Sequence, residues 1–350
     1  MKLLFVSTPV GPLGSGLGGG VELTLQNCAL ALQQRGHQVT IAAPAGSTTG
    51  GLPVIQIEGA WQPTAQNEER QAPVVLPRHS VLANLWSYAQ SSQADYDRIV
   101  NFAYDWLPFY LTPFFSTPIA HLVSMGSLTD VMDEAIARVG RQFPGAIAVH
   151  TQAQANTFKG AGPWRVIGNG FDLSQYTFCP DPEPVLAWVG RIAPEKGLED
   201  AVAAAYLTGM PLKIWGVLQN QDYWEQIREI YPDAPLFYQG FLPTTELQRQ
   251  LGRCQALLMT PRWIEAFGNV VIEALACGVP VIAYRRGGPA ELVDSGKTGW
   301  LVEPDSVAGL VQAIGKLGEI DRTVCRQQAE VNFSLAALGD RLENWLINMN

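Results

Sequence analysis

Two hydrophobic patterns alternate along the chain. Short runs rich in leucine and β-branched residues are followed, after a polar or glycine-rich break, by segments whose apolar positions recur every three to four residues. Residues 2–7 form the first such run, residues 9–20 a glycine-rich loop, and residues 21–35 a helix with Leu23, Leu25, Cys28, Ala29 and Leu32 mostly on one side. Gly36 ends that helix and residues 37–42 are the next strand, completing a βαβ unit. The pattern weakens between residues 44 and 93, where 49–53 and 62–73 read as loops, 54–57 as a short strand and 81–90 as a helix. Strands are expected again at 98–103, 118–123 and 146–150, with a helix at 132–139. In the second half, strands at 185–189, 212–216, 236–240, 256–260, 279–284 and 299–302 alternate with helices at 198–207, 223–231, 246–251, 269–276 and 305–316. Residues 335–346 close the pattern as an amphipathic helix. Strands separated by helices predict an α/β protein with parallel sheets.

At 350 residues, 47% of them hydrophobic, the chain suggests two domains with a core each. The formal net charge of −9 argues against a general nucleic-acid binder and against adhesion to an anionic membrane. Cys28, Cys179, Cys254, Cys277 and Cys325 are scattered, with no CxxC pair, which predicts a reducing, cytoplasmic setting and no disulfide or cysteine-metal site. The opening MKLLFV is too short for the apolar core of a signal peptide, and no apolar run approaches the ~20 residues of a membrane span.

The chemistry concentrates in residues 261–280, PRWIEAFGNVVIEALACGVP. Glu265 stands in a loop, Ala266, Phe267 and Gly268 follow, and an apolar helix from Asn269 and Val270 carries Glu273. A helix N-terminus presents backbone N–H groups and a positive dipole end to its loop, which suits a phosphate. Gly268 lets a ligand approach the backbone. Two acceptors flanking an anion site suit a sugar–diphosphate–ribose ligand. Earlier, in GRIAPEKG, Gly190 allows the chain to turn at a strand end, and Arg191 and Lys196 bring two cations that can offset the charge of a departing diphosphate.

Other motifs compete. Gly14, Gly16 and Gly19 fit GxGxxG, yet the loop is too long for the tight dinucleotide turn and the second strand ends without an acidic residue for a ribose, so an NAD oxidoreductase is disfavoured. Asp95-Tyr96-Asp97 is a DxD, which admits a metal reading; the expectation is that no metal or other cofactor is required. The aromatic run Tyr104, Trp106, Phe109, Tyr110, Phe114, Phe115 is either core or the wall of an acceptor site, with Tyr104 and Trp106 nearest the strand end.

The stretch 261–280 resembles the Glu-x7-Glu signature of the family 4 retaining glycosyltransferases, and GRIAPEKG resembles that family's Gly-Arg-x4-Lys-Gly segment. Residues 18–44, the VIGNGFD segment before a crossover, and the Gly-Gly-x-x-Glu turn within 284–292 are similar to other parts of it. The resemblance implies the GT-B fold: two doubly wound Rossmann-like domains facing a central cleft, the first an acceptor domain at 1–178 completed by a returning helix at about 335–350, the second a donor domain at 179–334. It implies that Gly19 and Gly20 meet the donor diphosphate, that Val217, Phe241 and Leu242 lie near the base, and that attack occurs on the front face with retained configuration. Glu22 then matches a polar helix position, although a first-turn carboxylate favouring the dipole explains it equally well. His121 is either structural or placed at the reacting centre, with Met125 and Gly126 beside the acceptor.

The expected reaction is transfer of a hexose, glucose first, from a UDP-sugar to a small soluble acceptor. In length and in its N-terminal loop the chain resembles the UDP-glucose:tetrahydrobiopterin glucosyltransferases, which implies a pterin acceptor. A sugar-lipid or polysaccharide transferase of the same family is the alternative, and a non-catalytic nucleotide-sugar binder is the reading from another class. No residue distinguishes UDP from GDP or ADP or sets an oligomeric state.

Overall fold

The computed structural model describes residues 1–349 except Glu68, Ala161 and Pro163. Its strands form two separate parallel sheets. In the first, β1 (Lys2–Val6), β2 (Gln38–Pro44), β3 (Val54–Ile57), β4 (Arg98–Asn101), β5 (Ile119–Leu122), β6 (Ile147–Val149) and β7 (Arg165–Val166) lie in the order β3-β2-β1-β4-β5-β6-β7. In the second, β8 (Leu186–Val189), β9 (Leu212–Trp215), β10 (Leu236–Tyr238), β11 (Ala256–Met259), β12 (Val281–Tyr284) and β13 (Gly299–Val302) lie in the order β10-β9-β8-β11-β12-β13. Both orders reverse beside the first strand of the sheet, and the loops at the C-terminal ends there are where open α/β sheets bind ligands. Both halves are therefore Rossmann-like, as expected.

The strand period of two explains how the first sheet is covered. Leu3 and Phe5 of β1 belong to one buried cluster with Leu25, Cys28 and Leu32 of the helix Gly20–Gln34. Leu4 and Val6 belong to another with Leu82, Leu85 and Trp86 of the helix Val81–Ser92. In the second sheet Leu186, Trp188, Leu212, Ile214, Ile282 and Tyr284 share a core with the alanine-rich helix Leu198–Thr208.

The chain divides into two compact units, Met1–Phe171 with Leu335–Asn350, and Asp172–Ser334. The division falls seven residues before the expected boundary at 178. The physical reason is that the Asp172–Cys179 segment is hydrogen-bonded to the second unit: Thr177 N donates to Gln248 Oε1 at 3.2 Å and Cys179 N to Cys277 O at 3.1 Å. The helix Leu335–Ile347 belongs to the first unit and lies on the helix Gly20–Gln34. Leu338, Leu342 and Trp345 join that unit's core, Trp345 Nε1 donates to Gly145 O at 2.7 Å, and Arg35 pairs with Asp340 at 2.7 Å and with Glu343.

Two helices depart from the sequence pattern. The helix Thr244–Gly252 starts ahead of the expected residue 246 and is preceded by Pro243 as its N-cap, with no side-chain cap hydrogen bond. The helix Arg322–Phe333 buries only Cys325 and Ala329 among its apolar residues, and Val331 is exposed, so its pattern gives no clear stripe. Arginines hold it instead. Arg322 Nε donates to Cys179 O at 2.7 Å, and Arg326 Nη1 to Ala276 O at 2.6 Å and Tyr176 O at 2.8 Å. No helix of the described residues is long and apolar enough to cross a membrane.

Candidate active site

In the second unit, the loops after β8, β11 and β12 converge. Lys196, in the short turn after β8, reaches Glu265, in the loop after β11, with Nζ–Oε2 at 2.5 Å. Trp263 Nε1 donates to the same carboxylate oxygen at 3.0 Å, and Lys196 Nζ lies 4.7 Å from the Trp263 ring centre, within cation–π range. The backbone of Glu265 is gripped by the Gly287–Gly288 turn: Gly288 N donates to Glu265 O at 2.7 Å. A Cβ on Gly287 would stand 2.7 Å from the Glu265 backbone nitrogen and oxygen, so only glycine fits at that position, which also has a φ of +65°. Arg262 N donates to Glu195 O at 2.9 Å, Arg286 Nη1 donates to Pro261 O at 2.9 Å, and Thr260 Oγ1 donates to Gly197 O at 2.7 Å. Three loops are thus mutually fixed before any ligand arrives.

Gly268, with a φ of +95°, turns the chain into the helix Asn269–Ala276. Glu273 follows just over one turn in. Its Oε1 accepts from the Tyr176 hydroxyl at 3.2 Å, and burial raises its carboxyl to about 7 although Tyr176 pulls the other way. Asp200 lies beneath the loops, accepting from Tyr284 Oη at 2.7 Å and Arg262 Nη2 at 2.9 Å; burial raises its pKa against both partners. Arg191 pairs with Glu195 at 3.1 Å and with Gln219. Gly190 meets Gly216 at the ends of β8 and β9, where a Cβ on Gly216 would stand 1.9 Å from Gly190 O. Val217 and Phe241 are exposed near these strand ends and Leu242 is half-buried. Ala266, Asn269 and Val270 are half-buried. Phe267 is 5% exposed and packs edge-on against Phe333 at 6.1 Å, so its side chain belongs to the core and its backbone is what the loop can offer a ligand.

The first unit holds a cavity of about 250 Å³ at the C-terminal ends of β1, β4 and β5. Tyr104, Trp106 and Met125, expected near an acceptor, line it; Gly126 and His121 are not among its lining residues. Trp106 stacks on Tyr110 with ring centres 4.5 Å apart. The outer wall is a strap containing Trp61, Pro73 and Val75. Arg70 ties this strap to the helix Asp130–Gln142 by ion pairs to Asp130 at 2.7 Å and Asp133 at 2.5 Å. Gly19 and Gly20 open the helix Gly20–Gln34 nearby in the sequence, and Gly18 reaches the cavity.

The placement of His121 at a reacting centre is corrected. It is 0% exposed, its ring stacks on Phe109 at 4.2 Å, and its nitrogens meet Asn101 Nδ2 at 3.1 Å and Thr112 Oγ1 at 2.9 Å. Burial lowers its pKa to about 3, so it is a neutral core histidine. Glu22 does more than favour a dipole. Its carboxylate accepts from Gly14 N at 2.7 Å, Gly16 N at 3.3 Å and Gly18 N at 2.6 Å, and so folds the glycine-rich loop around itself. The spacing of those glycines from an acidic first-turn residue was the available signal. Asp97 of the DxD accepts from Lys2 N at 2.7 Å, which ties it to the start of β1, the end away from the cavity. No group of three His, Cys, Asp or Glu among the described residues is arranged to hold a metal ion.

Residues 173–330 match the family Glycosyl transferases group 1. The chain is 27% identical over 356 residues to a glycogen synthase of Mycobacterium tuberculosis (strain CDC 1551 / Oshkosh), covering 90% of this chain and 85% of that one. It is 35% identical over 144 residues to the 2-deoxystreptamine N-acetyl-D-glucosaminyltransferase of Streptomyces fradiae, covering 39% and 34% of the two chains. In structure it is similar to Anabaena HepE, crystallised in complex with UDP and glucose, with a TM-score of 0.78, 20% identity and 100% of both chains covered. Those two folds are the same at that score, which is the GT-B architecture.

Proposed function

We propose that this chain, a glycosyltransferase whose residues 173–330 match the family Glycosyl transferases group 1, moves glucose from UDP-glucose, with retained configuration, to a small acceptor seated in the cavity of the first unit. The observation that carries this reading is the contact between Lys196 and Glu265 at the start of the helix that bears Glu273. We assign Lys196 to the diphosphate, Glu265 to the sugar and Glu273 to the ribose of a nucleotide sugar. The complex of the similar HepE fold with UDP and glucose supports the choice of donor.

In the reaction the bond from the sugar C1 to the leaving phosphate oxygen breaks. A bond from C1 to the acceptor hydroxyl oxygen forms on the same face, and the hydroxyl proton passes to the departing phosphate. Arg191 and Lys196 offset the charge that develops on the diphosphate. Glu265 accepts hydrogen bonds from sugar hydroxyls, and Glu273 from the ribose. The Lys196–Glu265 pair holds both groups in place, and donor oxygens and hydroxyls replace part of that contact. No metal enters this scheme. A cavity of about 250 Å³ with the aromatic residues Tyr104 and Trp106 in its wall suits a bicyclic acceptor, and a pterin such as tetrahydrobiopterin is the acceptor proposed.

The test is a screen of UDP-, GDP- and ADP-glucose for released nucleotide, with and without tetrahydrobiopterin, in buffer with and without chelator. Pterin-dependent release of UDP that survives chelator is the expected result. Release unaffected by the pterin would overturn the acceptor, and no calorimetric uptake of any of these nucleotides would overturn the donor site.

A further inference from the structure

The wall of the first unit's cavity is lopsided in charge. Among the described residues that line it, Asp105 is the one carboxylate, and none is a lysine, arginine or histidine. Asp105 precedes the helix Trp106–Leu111 but makes no side-chain cap to it. Its carboxylate is held from the strap: Gln62 Nε2 donates to Asp105 Oδ2 at 3.2 Å. Gln62 is fixed in turn, since its Oε1 accepts from the Ser80 hydroxyl at 3.2 Å and its backbone N donates to Pro9 O at 3.0 Å. Thr129 lines the same wall. Its hydroxyl is buried and has no hydrogen-bond partner among the described residues, and a buried polar group in that condition favours a ligand that supplies one.

We propose that Asp105 selects the acceptor, receiving N–H donors from a small neutral or cationic molecule while Trp106 faces its flat side and the Thr129 hydroxyl completes the polar contacts. A carboxylate is an acceptor of two or more hydrogen bonds and cannot donate when ionised. An amino-heterocycle edge or an ammonium group satisfies it. A phosphorylated acceptor places a second negative charge beside Asp105 with no cation among the described lining residues to offset it, and is rejected. Asp105 takes no part in bond making; it determines which molecule sits in reach of the donor. This assignment rests on the cavity being the acceptor site, as proposed above.

The experiment uses the full chain and three probes: tetrahydrobiopterin for the amino-heterocycle, 2-deoxystreptamine for the ammonium, and glucose 6-phosphate for the anion. Binding of each is followed by calorimetry, and transfer by UDP release. At least one N–H probe binds and glucose 6-phosphate does not. The near-isosteric Asp105→Asn, which keeps an oxygen for Gln62, weakens the N–H probe by about ten- to a hundredfold, the range for a lost charge-assisted hydrogen bond. It leaves UDP binding and the melting temperature unchanged. Asp105→Glu, which keeps the charge, retains more affinity than Asp105→Asn. Equal binding to wild type and Asp105→Asn overturns the assignment, as does binding of glucose 6-phosphate as tight as that of the best N–H probe, or binding of neither N–H probe. A chain that binds UDP and an N–H probe through Asp105 but transfers nothing overturns the transfer reading and leaves Asp105 in place.

Discussion

The Tyr176 hydroxyl lies 3.2 Å from Glu273 Oε1, and this contact opposes the effect of burial on the carboxylate assigned to the ribose. Burial raises Glu273 to about 7, and Tyr176 restrains the rise. Below that pH Glu273 is protonated and a poorer acceptor for hydroxyls; above it, it is ionised. UDP binding is therefore expected to tighten between pH 6 and pH 8, with Glu273→Gln abolishing the dependence. Tyr176→Phe removes the restraint and moves the midpoint upward. Calorimetry across that range checks both, and a flat profile in the unmodified chain would contradict the assignment.

The same shift has the opposite sign for the stability of the free protein. A carboxyl raised in the folded state contributes stability that is fully present below its ordinary value of 4.5 and is lost as pH rises through about 7. The Glu273 contribution to the melting temperature thus declines between those limits, and the difference between wild type and Glu273→Gln widens toward pH 8 in favour of the variant. Differential scanning calorimetry at pH 5 and pH 8 measures it.

Lys196→Ala and Glu265→Ala are each expected to lose at least about a hundredfold in kcat, the scale for removing one preorganised charge-stabilising group. Because the two groups touch, the double variant loses far less than the product of the single losses. Steady-state UDP release on the three variants decides this, with circular dichroism to confirm folding. Multiplicative losses would mean that the two side chains act independently.

His121→Ala removes a ring that stacks on Phe109 and bonds Asn101 and Thr112. The expected cost is about 2–4 kcal/mol of stability, read by urea unfolding, with KM for both substrates unchanged. A hundredfold fall in kcat without loss of stability would restore His121 to the reacting centre.

Arg70→Ala cuts the two ion pairs that hold the cavity strap to the helix Asp130–Gln142. The pairs are largely exposed, so their effect on global stability is under about 1 kcal/mol. The acceptor KM rises about two- to tenfold while UDP affinity is unchanged, and added salt reproduces part of the effect in the unmodified chain. An altered UDP affinity with an unaltered acceptor KM would show that the strap does something else.

Much of the fold could be read from residue pattern. The β1 run, the helix after it and the strands of the second half have strong periods because each buries a full face, and the stretch 261–280 combines an acidic loop, a glycine and a capped apolar helix within twenty positions. The helix Arg322–Phe333 escaped because arginine-to-carbonyl bonds hold it where an apolar stripe would normally do so. His121 misled because a buried neutral histidine and a reacting one look alike until partners are known. Asp105 gave no signal: a single loop carboxylate has no spacing, and its importance comes from what the rest of the cavity wall lacks.

The helix Leu335–Ile347 has a bearing on how the chain matures. It completes the core of a unit whose other residues end at Phe171. On the ribosome, everything from Asp172 to Ser334 emerges before that core can close. The later unit is thus able to fold first, and the earlier one waits for its last helix with the part of Gly20–Gln34 that Leu335–Ile347 covers left exposed. Chaperone demand, and aggregation of prematurely terminated chains, should therefore trace to the beginning of the sequence.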